Sequence, residues 1–240
     1  MKRWVLSLVV CVWGVGCLAD EVRVAVASNF LGTVEALAPE FQADTGHSLV
    51  LSHGSTGQLY TQIDLGAPFD VFLAGDRERP ALLLQNGKAR EVRSYALGRL
   101  ALVSRVPLET DKVGEAFAGR TAALADPIAA PYGKAATRAM ERLKLDTATF
   151  RPILVANVGQ VASVFATGNA EFAFVAVSQL PQLDAPHVLA LDDLIPDIRQ
   201  DAALLPRAQG NDAALAFWEW LFTPRAAGLI EAAGYGLPTE

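Results

Sequence analysis

Apolar and polar positions along this chain switch repeatedly between a period of two and a period near four. Glu21–Ala27 alternates, and Phe30, Val34, Leu37 and Phe41 then recur at helical spacing up to Gly46. That switch predicts a strand running into an amphipathic helix stopped by glycine. Pro39 lies inside the helical pattern and predicts a kink or a late start of the regular ladder. The same alternation predicts a strand at 48–52, a helix at 59–65 closed by Gly66, a buried strand at 70–74, a helix at 80–85 and an apolar strand at 100–103. There the rhythm restarts. Helices are expected at 113–117, 132–143 and 161–166, and strands at 121–125, 153–155 and 172–177. Shorter apolar stretches follow at 188–191 and 204–205, then two closing helices at 212–222 and 224–233.

Strands alternating with helices at this spacing predict an α/β fold with a mainly parallel sheet in each of two lobes. The restart near Leu100 marks a second lobe, and the stretch near Leu204 a return to the first. The expected division is 20–99 plus 204–240 for lobe I and 100–203 for lobe II, with a ligand cleft between them.

Residues 1–19 stand outside this scheme. Lys2 and Arg3 precede an apolar run that ends at Ala19, the pattern of a cleaved signal peptide and hence of a periplasmic protein. A lipid anchor at Cys17 is the minor alternative. Both cysteines, Cys11 and Cys17, fall in this leader, so the mature chain is expected to hold no disulfide. Loss of Lys2 and Arg3 moves the net charge from −6 to −8. That balance, with no long basic run, argues against nucleic acid as a partner. An anion site in so acidic a chain must work through local dipoles against the global field.

Four turns share one logic: Ser28-Asn29, Ser55-Thr56-Gly57, Pro131-Tyr132-Gly133 and Asn157-Val158-Gly159. Each follows an expected strand and precedes an expected helix, where α/β sheets place their ligands. Any one taken alone is better explained as a helix cap. Two in each proposed lobe favour a shared site instead. Hydroxyls, an amide and helix N-terminal N–H groups would together suit a tetrahedral dianion without a buried counter-ion. Ser28, Asn29 and Ser55 would donate from side chains, and Tyr132 and Val158 mainly from the backbone. No cofactor and no protein-bound metal are called for.

Catalysis finds little support. His53 precedes Ser55 by two residues, so a Ser/His hydrolase is conceivable, but no Gly-x-Ser-x-Gly, P-loop or His-Glu-x-x-His occurs. Asp64, Asp70, Asp76 and Glu78 are accounted for by turn and cap roles. The aromatic group Phe217, Trp218, Trp220 and Phe222 is accounted for by core packing.

The stretches 25–30, 54–57, 66–74, 130–133 and 167–171, with 221–227 and 234–236, together resemble the periplasmic molybdate-binding proteins of ABC transporters. The resemblance covers 22–238. It implies a two-lobed type II periplasmic-binding fold that closes on molybdate or tungstate, a membrane ABC permease as partner and a monomeric receptor. It carries oxyanion contacts to Ser28, Ser55, Tyr132 and Val158. One branch of the family adds a Tyr hydroxyl from the strand 174–177. Here that position is Ala176, so this chain resembles the other branch, in which Asn29 and the Tyr of Pro-Tyr-Gly contribute. Asn29 is then the expected replacement donor. The alternatives are a receptor for sulfate or phosphate, the hydrolase, or a ligand-sensing subunit that docks on a membrane sensor.

Overall fold

Each switch of hydrophobic period becomes a strand feeding a helix in a computed structural model of the chain, which describes residues 20–109 and 112–239. The leader, with Cys11 and Cys17, lies outside the described residues. β1 (Glu21–Ala27) runs into α1 (Leu31–Thr45), β2 (Ser48–Gly54) into α2 (Thr56–Asp64), and β3 (Val71–Leu73) towards α3 (Glu78–Gln85). The helical stripe Phe30, Val34, Leu37 and Phe41 is wholly buried. α1 continues through Pro39 and ends at Gly46, whose φ of 78° sits in the left-handed region that only glycine adopts freely.

The first sheet has the order β2-β1-β3-β10-β4, where β4 is Glu91–Gly98 and β10 is Ile198–Leu204. The second has the order β7-β6-β8-β5-β9, from β5 (Leu100–Ser104), β6 (Thr121–Ala125), β7 (Arg151–Val155), β8 (Phe172–Ala176) and β9 (His187–Ala190). In the first sheet only β10 opposes the others, and in the second only β5 does. Both sheets are covered on two faces. α1, α7 (Asp212–Leu221) and α8 (Pro224–Ala232) pack on one side of the first, and α2 and α3 on the other. α4 (Val113–Phe117) and α5 (Pro131–Arg142) cover one side of the second, and α6 (Val158–Ala166) the other. Burial from both sides explains why β3 and β8 are apolar runs rather than alternating ones. The aromatic group at 217–222 packs in the first core, with Phe217 fully buried.

Two strands depart from the sequence expectation. β4 has no counterpart in it, because Glu91, Arg93 and Ser94 interrupt its apolar pattern at the sheet edge. β10 begins at Ile198, so the return expected near Leu204 is the end of that strand and not its start. Buried Gln200 and Asp201 in its middle hide it from a hydrophobic pattern. The chain passes from the first sheet to the second through Arg99 alone, between β4 and β5. It returns between β9 and β10. The C-terminal segment is tied to the first crossing, with Leu97 and Gly236 exchanging N–H···O bonds of 2.8 Å.

Asp70 pins the start of β3. It is fully buried and accepts from the Arg23 N–H at 2.8 Å and from Arg207 Nη1 at 2.5 Å. Hydrogen bonds to a charged group are worth more than neutral ones, and Asp70→Ala also strands the Arg23 N–H. The expected loss is about 3 kcal/mol of unfolding free energy in a urea titration; a change below about 0.5 kcal/mol would contradict this role.

Candidate functional site

The four strand–helix turns meet. Ser28, Asn29, Ser55, Tyr132 and Val158 all line one small cavity, of about 10 Å³, between the two sheets' carboxyl ends. Among the described residues, none of its lining carries a charge. Local sequence explains why each turn ends there. Ser55 has extended φ and ψ and caps α2, accepting from the Gln58 N–H at 3.3 Å while the Gln58 side chain reaches back to the Ser55 N–H. Asn157 caps α6 by accepting from the Gln160 N–H at 3.0 Å. Pro131 opens α5 at its first position, where a missing N–H is harmless.

The caps leave other donors free. Among the described residues, the backbone N–H groups of Asn29, Thr56, Tyr132 and Val158 have no hydrogen-bond partner. All four residues are nearly inaccessible, at 5%, 1%, 2% and 2% exposure. A buried N–H without an acceptor is unfavourable, and native proteins leave few of them. Three belong to the first residues of α2, α5 and α6, whose aligned peptide dipoles add partial positive charge at the same place. Two seryl hydroxyls join them. Ser28 Oγ accepts the Gly159 N–H at 3.3 Å, and Ser55 Oγ accepts the Gln58 N–H, so the hydroxyl hydrogen of each stays available. The cavity therefore offers donors and partial positive charge, with no carboxylate facing them.

The side chains of Asn29 and Tyr132 have other work. Both amide hydrogens of Asn29 are engaged, with Gln200 Oε1 at 2.9 Å and the Tyr235 hydroxyl at 3.1 Å. The Asn29 side chain, expected as a donor, thus has both its hydrogens engaged within the protein, and its backbone N–H is the group left unpaired. The Tyr132 hydroxyl accepts from Gln200 Nε2 at 3.2 Å and keeps its own hydrogen, and the Tyr132 backbone N–H is unpaired beside it. Tyr95 completes the group, 3.1 Å from Gln200 Oε1 and 2.9 Å from the Ala74 carbonyl. Burial pushes the Tyr95 and Tyr132 hydroxyls well above the ordinary phenol range and that of Tyr235 up to about 12, so all three remain neutral. His53 is exposed and lines a larger groove outside the cavity. Among the described residues it makes no hydrogen bond to Ser55, and no cluster of metal-ligating side chains occurs.

The two lobes touch across the cavity. The Gly57 N–H donates to the Ala129 carbonyl at 2.9 Å, Ser178 Oγ to the Asn29 carbonyl at 3.2 Å, and Arg79 Nη2 to the Ile128 carbonyl at 2.7 Å. Burial raises the Asp76 carboxyl that steadies Arg79, against the lowering effect of Arg79 itself. The structure is that of a closed cleft.

Thr56 also lines the cavity with an unpaired N–H, although sequence reasoning did not single it out as a donor. Its signal was available, since the N–H of the residue after a Ser cap has no partner within its own helix. Gln200 and Tyr95 gave none, because a buried polar side chain inside a strand looks like a surface residue in sequence.

The profile of a family described as bacterial extracellular solute-binding protein matches residues 22–236. The molybdate-binding protein ModA of Azotobacter vinelandii is 39% identical, over 97% of this chain and 98% of its own. The ModA of Rhodobacter capsulatus is 38% identical over 90% and 88%. The solved structure of an Azotobacter vinelandii periplasmic molybdate-binding protein superposes with a TM-score of 0.82 at 36% identity, covering 91% of this chain and all of its own. The two-lobed periplasmic-binding fold expected from the sequence is the one present.

Gly133 tests how tightly the Tyr132 turn is held. A Cβ there would overlap the Ala125 carbonyl oxygen and come within 2.7 Å of the Asp126 backbone. Gly133→Ala should destabilise the protein by about 2 kcal/mol in thermal melts. Gly114→Ala, which meets nothing within 4 Å, should change stability by less than about 1 kcal/mol. Equal effects would contradict the tight fit.

Proposed function

We propose that this chain, which belongs to the bacterial extracellular solute-binding proteins, captures molybdate or tungstate outside the cytoplasm and delivers it to a membrane ABC permease. The observation that carries this is the set of four buried, unpaired N–H groups and two seryl hydroxyls around one uncharged cavity between the lobes. A fully deprotonated tetrahedral dianion presents acceptors only, and the cavity presents unpaired N–H and O–H donors with no charged side chain among them. Neutral donors hold such an ion without burying a lysine or arginine and let it leave again. Phosphate suits the site less, because its remaining proton needs an acceptor and no carboxylate lines the cavity.

The named relatives favour molybdate over other oxyanions of the same shape. We assign Ser28 and Ser55 to the ligand through their hydroxyls, and Asn29, Tyr132 and Val158 through their backbone N–H groups. Lobe I (20–99 plus 198–240, since all of β10 lies in the first sheet) and lobe II (100–197) would close on the ion by hinge motion. The receptor acts as a monomer in the periplasm after removal of residues 1–19, and catalyses no reaction. Among the described residues no helix is long and apolar enough to cross a membrane.

Calorimetric titration with molybdate, tungstate, sulfate and phosphate tests the reading. Molybdate and tungstate should bind tightly and displace sulfate; tight sulfate binding with no molybdate response would overturn it. Ser28→Ala and Ser55→Ala should each weaken molybdate binding about tenfold, the worth of one hydrogen bond to a charged group. His53→Ala should leave affinity within about twofold, as an exposed side chain outside the cavity; a large loss there would contradict that placement, whereas a hydrolase would instead lose turnover in this variant.

A further inference from the structure

Behind the cavity, Gln200 joins one of the strand–helix turns from each lobe. It lies in the middle of β10, fully buried, where the ladder with β4 shifts register between Gln200 and Asp201. Its Oε1 accepts from Asn29 Nδ2, on the lobe I turn, at 2.9 Å. Its Nε2 donates to the Tyr132 hydroxyl, on the lobe II helix α5, at 3.2 Å. Asn29 and Tyr132 are also two of the residues whose free N–H groups line the cavity. The backbone makes room for this contact at one place. A Cβ on Gly98, the last residue before the crossing to lobe II, would overlap both the Tyr132 hydroxyl and Gln200 Nε2.

We propose that Gln200 is a positioning residue that fixes the separation of the two donor turns in the closed state, and through it the size of oxyanion the cavity selects. The proposal rests on the oxyanion-receptor reading. A side chain that only filled space in β10 would not need partners on two turns of opposite lobes. The bond to Tyr132 ties the first sheet to α5 beside the chain crossing at Arg99, so in the closed cleft it holds the two turns at one separation. A cavity whose width is set by bonded protein groups discriminates between ions of equal charge and unequal size. A cavity freed of that constraint adjusts to each ion, and the discrimination shrinks.

The test uses Gln200→Leu, which keeps the bulk and removes both hydrogen bonds, and Tyr132→Phe, which removes only the hydroxyl at the far end. Affinity for molybdate is measured by calorimetry, and affinity for sulfate by competition against molybdate, so that weak binding still yields a value. Molybdate affinity should fall about tenfold in Gln200→Leu, and the molybdate-to-sulfate ratio should fall at least about fivefold in both variants. A merely structural role would lower the melting temperature and weaken both ions in proportion. A ratio within about twofold of the unsubstituted protein in either folded variant therefore overturns the proposal. If Gln200→Leu fails to fold, Tyr132→Phe decides alone. No molybdate response in the unsubstituted protein would overturn the receptor reading and this proposal together, whereas an intact response with an unmoved ratio overturns this proposal only.

Discussion

A buried N–H group must find an acceptor, and much of this molecule is arranged so that four of them do not find one within the protein. Asn29, Thr56, Tyr132 and Val158 keep free N–H groups at one cavity because their neighbours in the turns take the local acceptors. Ser55 and Asn157 turn their side chains onto later residues of their helices, and Pro131 has no N–H to spend. An unpaired buried donor is a destabilising feature, on the order of 1–3 kcal/mol each. A ligand rich in acceptor oxygens relieves all of them together, so the same feature that weakens the empty closed cleft favours the filled one.

The second sheet and its helices matter because two of the six donors, the Tyr132 and Val158 N–H groups, sit on them. Neither lobe alone encloses an ion. Closing the cleft brings the N-termini of α5 and α6 opposite the turns of β1 and β2, and the contacts Gly57–Ala129, Gly159–Ser28 and Arg79–Ile128 hold them there. Behind the donors lies a neutral polar layer of Asn29, Gln200, Tyr95, Tyr132 and Tyr235. Its phenols cannot ionise in the ordinary pH range, because burial raises them. No charge in this layer competes with the ion, and its amides and hydroxyls fix the backbone that presents the donors.

Much of the fold was legible because its strands are buried on both faces and its helices carry long apolar stripes. The 30–41 stripe, the strand at 172–176 and the closing helices stand out on pattern alone. β4 and β10 were hidden for opposite reasons. β4 is an edge strand with charged residues among its apolar ones, and β10 buries Gln200 and Asp201 where an apolar residue is expected. The five candidate residues come together in one cavity, since turns after parallel strands converge whatever their side chains are. Which atom of each faces the ion was less legible. Asn29 looked like a side-chain donor in sequence because Asn carries an amide, and only its distant partners Gln200 and Tyr235, 171 and 206 residues away, reveal that the amide is already spent.

Backbone amide NMR during a molybdate titration tests the central claim most directly. The amide protons of Asn29, Thr56, Tyr132 and Val158 should move strongly downfield together as each gains a charged acceptor. Amides already paired beside them, such as those of Gly57 and Gln160, should move little. Saturable molybdate binding that leaves those four resonances in place, with shifts concentrated elsewhere, would contradict the account.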